Sequence, residues 1–253
     1  MSKISDRLAK LGQIEQTGFG FGARATGTKV PVMLVGVRID NPVDAGSLSA
    51  DFFILAPGSK GAAQTRPVKG VDLWGVAVSG GSGDSIDTAT KAGADFIVIE
   101  GESVPGSALL DEDSGRGFVV GSEITDDRAR AIDSSPFDFL ILGETTVAMP
   151  LDVGATLDIR EQLSRYSRHI FLKLNSVPEK SDLGALRDMG ISALIYDSES
   201  AGKNDLAGLR KTIDGMKPKK HNTSAGAVLP RGDEATHRHD ADIDDPDEDE
   251  DWE

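Results

Sequence analysis

The chain has 253 residues, 38% of them hydrophobic and 27% charged, which is the composition of an ordinary globular protein. It contains no cysteine, which excludes disulfides, thiolate metal sites and a cysteine nucleophile, and its net charge of −15 argues against nucleic-acid or membrane-surface binding because like charges repel phosphate. The first ten residues carry charges and no apolar run, and no segment reaches the roughly 20 apolar residues of a membrane span, so we expect a cytoplasmic protein.

Eight short apolar segments follow one another along the chain, separated by turns and helix-like segments. Each is a nearly continuous run of Val, Ile, Leu or Phe, as expected for a parallel strand that is buried on both faces. The predicted strands are Val32–Val37, Asp51–Ala56, Leu73–Ala77, Asp95–Glu100, Gly117–Glu123, Asp138–Gly143, Ile170–Asn175 and Ala193–Asp197.

Helices are predicted between several of these strands. Cap residues such as Thr125 and Ser181 begin some of them, and Gly93 and Gly190 stand where helix ends favour glycine. The predicted helices are Asp84–Ala92, Thr125–Ile132, Ala155–Tyr166, Ser181–Met189 and Asp205–Met216.

This alternation predicts an α/β protein with one closed (β/α)₈ barrel, a TIM barrel, over residues 30–216. A short N-terminal helix and a lead-in segment are expected over residues 1–29. The alternative is a doubly wound open sheet, which would not need eight evenly spaced strands.

The last segment, residues 217–253, has a different composition from the rest. It holds twelve Asp or Glu against five Lys or Arg, a net charge of −7, with few apolar side chains. Such a segment cannot bury enough apolar surface to offset the entropy of ordering, so we expect a disordered acidic tail. The tail would either keep the protein soluble or dock onto a basic protein partner.

An internal repeat of two βα modules supports closure of the barrel. The even-numbered strands begin with Asp51-Phe52, Asp95-Phe96 and Asp138-Phe139, and Ser192-Ala193 is a looser copy. The odd-numbered strands can be superposed without gaps, which aligns Gly36, Gly75, Gly121 and Lys173.

The superposition predicts which side chains meet inside the barrel, because alternate residues point inward and one layer takes its members from alternate strands. Three glycines in the layer of Lys173 would leave room for a long side chain or a ligand. The mouth of the barrel should then gather two cations, three carboxylates and one amide, namely Arg38, Lys173, Glu100, Glu123, Asp197 and Asn175.

These residues would either plug the barrel top as an ion-pair network or bind a small polar ligand, and we favour the ligand because sites in this fold lie at the C-terminal face. As an enzyme on a small carbonyl- or carboxylate-bearing metabolite, the chain would use Lys173 as Schiff-base nucleophile or base. Glu123 or Glu100 would carry protons. Substrate binding would fall to Arg38, Asn175 and Asp197.

The rival hypothesis is a catalytically silent barrel that serves as a binding or scaffold module through its surface and acidic tail. It is motivated by the absence of a Ser-His-Asp arrangement, a nucleophile elbow or a kinase signature from the sequence.

No cofactor is firmly implied. Oxygen ligands from Asp40, Glu102 and Glu144 could hold Mg²⁺ near the mouth, although a solvated rim is the preferred interpretation of these three. His169 is the only one of four histidines that precedes the tail, which excludes a multi-histidine metal site in the barrel.

Two stretches resemble aldolase-type barrels. Lys91–Gly101, which reads Lys-Ala-Gly-Ala-Asp-Phe-Ile-Val-Ile-Glu-Gly, resembles strand four of such barrels, including flavin-dependent ones of the nitronate monooxygenase and IMP dehydrogenase kind. Met189–Leu194 is similar to the same helix-to-strand joint. The flavin-dependent likeness implies a cofactor phosphate on the turns after the last two strands, where Glu179 and Glu199 make FMN doubtful.

Class I aldolases are a second resemblance, which implies a Schiff-base lysine inside the barrel. That lysine usually lies on strand six, where this chain has Ile141 and Leu142, whereas the lysine of this chain, Lys173, is on strand seven.

Overall fold

Eight parallel strands close into a barrel in the order β1 to β8, in which each strand pairs with its neighbours in sequence and β8 pairs with β1. The structure, a computed structural model, describes residues 2–13, 30–110, 113–121 and 123–218. The strands are β1 Leu34–Ile39, β2 Phe52–Leu55, β3 Trp74–Val78, β4 Phe96–Ile99, β5 Gly115–Val120, β6 Phe139–Val147, β7 His169–Leu174 and β8 Ile191–Asp197. The predicted single barrel is confirmed, and the open doubly wound sheet is excluded.

Helices cover the outside of the barrel and close its N-terminal end. Within the described residues they are α1 Lys3–Ala9, α2 Gly83–Lys91, α3 Asp126–Ser134, α4 Val153–Ser164, α5 Lys180–Met189, α6 Ser198–Lys203 and α7 Leu206–Gly215. Short 3₁₀ turns, Pro42–Ser47, Ser59–Gly61 and Gly106–Leu109, take the place of a helix after β1, β2 and β4. No helix in this part of the chain is long and apolar enough to cross a membrane.

The helix boundaries follow from local capping. The Thr125 hydroxyl accepts the Arg128 N–H at the start of α3, and the Asp152 carboxylate accepts the Ala155 N–H at the start of α4. Gly190 ends α5 with a φ of 100°, a left-handed conformation that favours glycine. The predicted N-terminal helix is present as α1, whereas the turn predicted after the last strand is the helix α6.

Most of the predicted lead-in segment and almost all of the predicted tail lie outside the described residues. Among the residues that the structure describes, α7 is the last helix, and it ends at Gly215.

The apolar side chains of the strands divide between two cores. One lies between the strands and the outer helices, and the other fills the barrel interior. The interior core takes alternate residues from each strand, such as Phe52 and Ile54 on β2 or Phe96 and Val98 on β4. This alternation is the period-two pattern of a strand with one side toward the barrel axis.

Four phenylalanines form a closed ring across the barrel axis, which we call the phenylalanine ring: Phe52, Phe96, Phe139 and Phe171. Successive ring centroids lie 5.9, 5.8, 4.3 and 5.5 Å apart. All four side chains are fully buried. The ring therefore fills the middle of the barrel as a packed layer.

Glycines on three odd strands make room for this layer. A Cβ atom on Gly36, Gly75 or Gly117 would overlap the ring of Phe52, Phe96 or Phe139, respectively. In the fourth repeat the odd strand carries the large side chain and the even strand the small one, because Phe171 of β7 lies beside Ala193 of β8. The space left by the glycines is filled by phenylalanine, so the prediction that it admits a lysine or a ligand is wrong.

The same pairing corrects the predicted alignment of the odd strands. The residue equivalent to Gly36 and Gly75 is Gly117 on β5 and Phe171 on β7. Gly121 and Lys173, predicted for this layer, therefore lie four and two residues nearer the mouth. Both shifts are even, so Lys173 still faces the barrel axis, but at the level of Arg38.

The aspartates of the repeated Asp-Phe pairs hold the N-terminal end of the barrel together. Asp51 accepts the Val35 N–H at 2.8 Å, and Asp138 accepts the Arg116 N–H at 2.8 Å. Asp95 accepts the N–H groups of Lys3 and Ile4, the first residues of α1. The helix so anchored inserts Ile4 and Leu8 into the interior core from below.

Candidate functional site

Four charged side chains meet at the C-terminal mouth of the barrel, and we call them the charge quartet: Arg38, Glu100, Lys173 and Asp197. Arg38 is on β1, Lys173 on β7 and Asp197 at the end of β8, while Glu100 directly follows β4. Each lies two residues beyond a member of the interior layers described above, which puts all four on the inward-facing side of the chain.

Arg38 reaches across the barrel mouth to Glu100. Its Nη2 atom lies 3.0 Å from Oε1 and 3.1 Å from Oε2 of Glu100, so that one guanidinium nitrogen binds both carboxylate oxygens. The two strands are not neighbours, and the mouth-level residues of the intervening strands, Ala56 and Ala77, are small. The long arginine side chain can therefore cross above them.

Lys173 forms the second ion pair of the quartet. Its Nζ atom lies 2.9 Å from Oδ2 of Asp197 on the neighbouring strand. Asp197 is also the direct register partner of Arg38 across β1 and β8. The two ion pairs thus stand side by side rather than at separate places on the rim.

Glu100 is the most buried member of the quartet, with 17% of its side chain exposed, against 34% for Arg38, 24% for Lys173 and 39% for Asp197. Burial raises the pKa of Glu100 above its ordinary value of 4.5, because desolvation outweighs the attraction of Arg38 and Lys173, and the charge of Asp197 adds to the rise. A partly buried carboxyl with a raised pKa beside cations is suited to proton transfer.

The surroundings of the quartet are small or aliphatic. At the same level the other strands present Ala56, Ala77, Val119 and Gly143. One layer below, four branched side chains form the floor, namely Ile54, Val98, Ile141 and Ile195. The phenylalanine ring lies beneath that floor, and its signal in the sequence is the repeated Asp-Phe pair of the even-numbered strands.

Two of the predicted site residues are not brought to the quartet. β5 ends at Val120, so Glu123 lies three residues beyond the strand with an exposed side chain, and Val119 occupies the level predicted for it. Asn175 follows the end of β7 with an exposed side chain, and its carbonyl oxygen accepts a hydrogen bond from the Asn204 side chain.

The acidic residues considered for Mg²⁺ are dispersed where the structure describes them. Asp40 is exposed, and Glu102 pairs with Arg128 on α3. The side chain of Glu144 lies outside the described part of the chain. Among the side chains that are described, no three His, Asp or Glu residues are grouped so that they could hold a metal ion.

Three cavities, similar in size to one another, lie away from the quartet. One of about 310 Å³ lies between β5–β7 and α4, with Leu142, Leu172 and Ile159 among its lining residues. One of about 400 Å³ lies between β4, β5 and α3, and one of about 280 Å³ is at the N-terminal end beside His169. The second lining contains the pair Glu102 and Arg128, and the third contains Asp138 beside Arg168. None of the three linings brings two cations and two carboxylates together as the quartet does, so the quartet remains the candidate site.

The chain matches no protein-family model and no curated protein. Its fold is similar to that of a protein from Aquifex aeolicus VF5 (TM-score 0.54, 10% identity, 87% of this chain and 100% of the other). It is also similar to tryptophan synthase subunit alpha from Legionella pneumophila (TM-score 0.52, 13% identity, 85% and 100%) and to KGPDC from Streptococcus mutans (TM-score 0.50, 9% identity, 72% and 96%). At such identities the likeness establishes the (β/α)₈ barrel fold and no family within it.

Proposed function

We propose that the barrel is an enzyme of the lyase or aldolase type that acts on a small carbonyl- or carboxylate-bearing metabolite at the charge quartet. The observation that carries the proposal is the meeting of two cations and two carboxylates, all partly buried, above an aliphatic floor at the C-terminal mouth. In this fold the active sites of enzymes are built at that face. The fold comparison is compatible with an enzyme, while the chemistry rests on the quartet.

The four side chains supply complementary roles. Arg38 would hold a substrate carboxylate through its guanidinium group. Glu100, which keeps its proton to a higher pH than an ordinary glutamate, would act as general acid and base. With a carbonyl substrate, Lys173 would pass a proton to Asp197, attack the carbonyl carbon and form an imine as water leaves. Glu123 and Asn175 take no part in this proposal because their side chains are exposed beyond the strand ends.

Reductive trapping tests the lysine chemistry. The full chain is incubated with aldehydes and 2-keto acids, with and without Mg²⁺, then treated with borohydride, and peptide mass spectrometry locates any secondary amine. We expect an adduct on Lys173 that the Lys173→Met variant lacks. Lys203→Met is the matched control, because Lys203 also pairs with a carboxylate but lies exposed on α6. A panel without any Lys173 adduct removes the imine mechanism.

A catalytically silent barrel is the second candidate, and one observation favours it: the four charges of the quartet already neutralise one another in two ion pairs. In that case the quartet would only stabilise the mouth, and binding to partners would use the surface and residues 217–253. Co-purification with the full chain and with a chain ending at residue 216 separates the candidates. The silent barrel requires partners that depend on the tail and no metabolite that raises the melting temperature through Lys173.

A further inference from the structure

The charge quartet constrains the charge of its ligand. Its two cations and two carboxylates sum to zero, and each is engaged in an ion pair of 2.9 to 3.0 Å. Lys173 and Asp197 also act on the charge of Glu100, so the two pairs lie within electrostatic range of each other. In a partly buried site, a charge that loses its partner without replacement is costly, and an entering ligand must therefore preserve the pairing.

Singly charged ligands meet this condition only in part, so they should bind more weakly than a ligand that carries both charges. A monoanion that binds Arg38 separates it from Glu100 and places a second negative charge beside that carboxylate. A monocation that binds Asp197 separates it from Lys173 and places a second positive charge beside that lysine. A ligand that carries both charges can insert between the pairs, because its anionic end takes the place of a carboxylate and its cationic end takes the place of a cation.

We propose that the charge quartet binds a small zwitterion, an α-amino acid or a close analogue, with its carboxylate on Arg38 and Lys173 and its ammonium group on Glu100 and Asp197. This inference rests on the proposed function and narrows its substrate to a carboxylate-bearing metabolite with an amino group. Within such a complex every charge of the site keeps a partner of opposite sign.

The rest of the mouth indicates the kind of side chain that the amino acid carries. The uncharged positions at the level of the quartet are Ala56, Ala77, Val119 and Gly143, and the floor beneath is formed by branched aliphatic side chains. An apolar wall offers no hydrogen-bond partner to a polar group, whereas it can bury methyl and methylene groups. Short aliphatic amino acids are therefore the preferred ligands.

Two sets of ligands, each sharing one side chain, test the inference. The full chain is titrated by calorimetry and by thermal shift with leucine, 2-hydroxyisocaproate and isoamylamine, and with alanine, lactate and ethylamine. In each set the first compound carries both charges, the second only the carboxylate and the third only the ammonium group. We expect the amino acid to bind at least tenfold more tightly than the hydroxy acid or the amine of its set.

Two variants change the charge of the quartet in opposite directions. Glu100→Gln leaves the site with a net charge of +1, and we expect its preference to move toward the hydroxy acid. Lys173→Met leaves a net charge of −1, and its preference should move toward the amine. Circular dichroism of both variants shows that they are folded before their ligands are compared.

The outcomes separate this inference from the proposed function. If the wild-type chain prefers hydroxy or keto acids and loses them in Lys173→Met, the zwitterion inference is wrong while the proposed site stands. If an amino acid binds but neither variant changes the order of preference, its site lies elsewhere and the inference is overturned. If no compound shifts the melting temperature in a way that depends on Lys173 or Glu100, both proposals fail.

Discussion

His169 is the only histidine among residues 2–218, and it lies at the end of the barrel opposite the charge quartet. It begins β7, and its Nδ1 atom is 3.1 Å from the Ser192 hydroxyl. Ser192 stands where the other three repeats have an aspartate. Burial lowers the pKa of His169 below its ordinary value of 6.5, although the charge of Asp138 opposes the shift. The folded protein therefore favours the neutral imidazole.

The lowered pKa of His169 predicts a loss of stability in weak acid. Between the folded pKa and 6.5 the unfolded chain binds the proton that the folded protein resists, so the free energy of unfolding falls as the pH drops through 6.5. His169→Gln should remove this part of the pH dependence. Urea unfolding of both proteins between about pH 5.5 and about pH 7.5 measures it.

The comparison cancels the three histidines after residue 218, which both proteins keep. We expect the difference in the free energy of unfolding, His169→Gln minus wild type, to increase as the pH falls below 6.5 and to stay constant above about pH 7.5. Parallel pH profiles would contradict the assignment of a perturbed imidazole.

At the residue scale, the period-two pattern of a strand predicts which face a side chain occupies but not its height. A shift of two or four residues along a strand keeps every side chain on the same face. Arg38, Glu100, Lys173 and Asp197 were expected near the mouth and lie there together. Glu123 was assigned four residues too low on its strand, and such an error carries it beyond the strand end.

At the scale of elements, the barrel interior is organised by pairs of one glycine and one phenylalanine. Gly36, Gly75 and Gly117 each leave the volume that the aromatic ring of the next strand fills. Because a packed ring of four phenylalanines has little freedom to move, an added methyl group at these glycines cannot be accommodated by a change of rotamer alone.

The glycine pairs predict two different responses to the same substitution. Gly36→Ala and Gly75→Ala should each destabilise the barrel by about 1–3 kcal/mol in chemical unfolding, because both overpack the interior. At Gly36 the nearest obstacle is the Phe52 side chain, so Phe52→Leu should restore part of the loss. At Gly75 the carbonyl oxygen of Phe96 also lies 2.5 Å from the added carbon, so Phe96→Leu should not restore it.

Gly184→Ala in α5 is the matched control, because a Cβ there meets nothing within 4 Å. A helix interior favours alanine over glycine by up to about 1 kcal/mol, so this variant should be no less stable than the wild type. Equal rescue at Gly36 and Gly75 would show that the backbone of Phe96 yields and would contradict the prediction.

The elements themselves could be predicted from the sequence to the extent that each has a local signal. The eight strands are runs of buried apolar residues, and α3 begins after its predicted cap Thr125. The helix α5 ends at Gly190 as predicted, but Ser181, predicted as its N-terminal cap, lies inside the helix, which begins at Lys180. The segment of α6, Ser198–Lys203, lacks apolar periodicity, so its sequence predicts a turn where the structure has a helix. The height of each odd-numbered strand along the barrel axis was not predictable from the sequence, because it depends on which glycine faces an aromatic ring of another strand.

At the scale of the whole molecule, the phenylalanine ring separates a structural end of the barrel from a charged end. Below the ring, α1 is bound by Asp95 and Asp138 and inserts Ile4 and Leu8 into the interior core. Above the ring, the partly buried charge quartet lies over an aliphatic floor. The two ends share the core. The hydrogen bonds that hold α1 and the ion pairs of the quartet involve different residues.

This separation predicts that damage at the bottom weakens the fold without changing ligand preference at the mouth. Leu8 is 2% exposed, and Leu8→Ala should lower the free energy of unfolding by about 2–5 kcal/mol, because a cavity replaces a buried side chain. Leu157→Ala is the matched control, since Leu157 is 60% exposed on α4 and its loss should cost less than about 0.5 kcal/mol. Titration of folded Leu8→Ala with the ligands of the charge quartet should give dissociation constants within about twofold of the wild type. A larger change would mean that the phenylalanine ring transmits the packing of α1 to the mouth, and the two ends of the barrel would then have to be treated as one coupled unit.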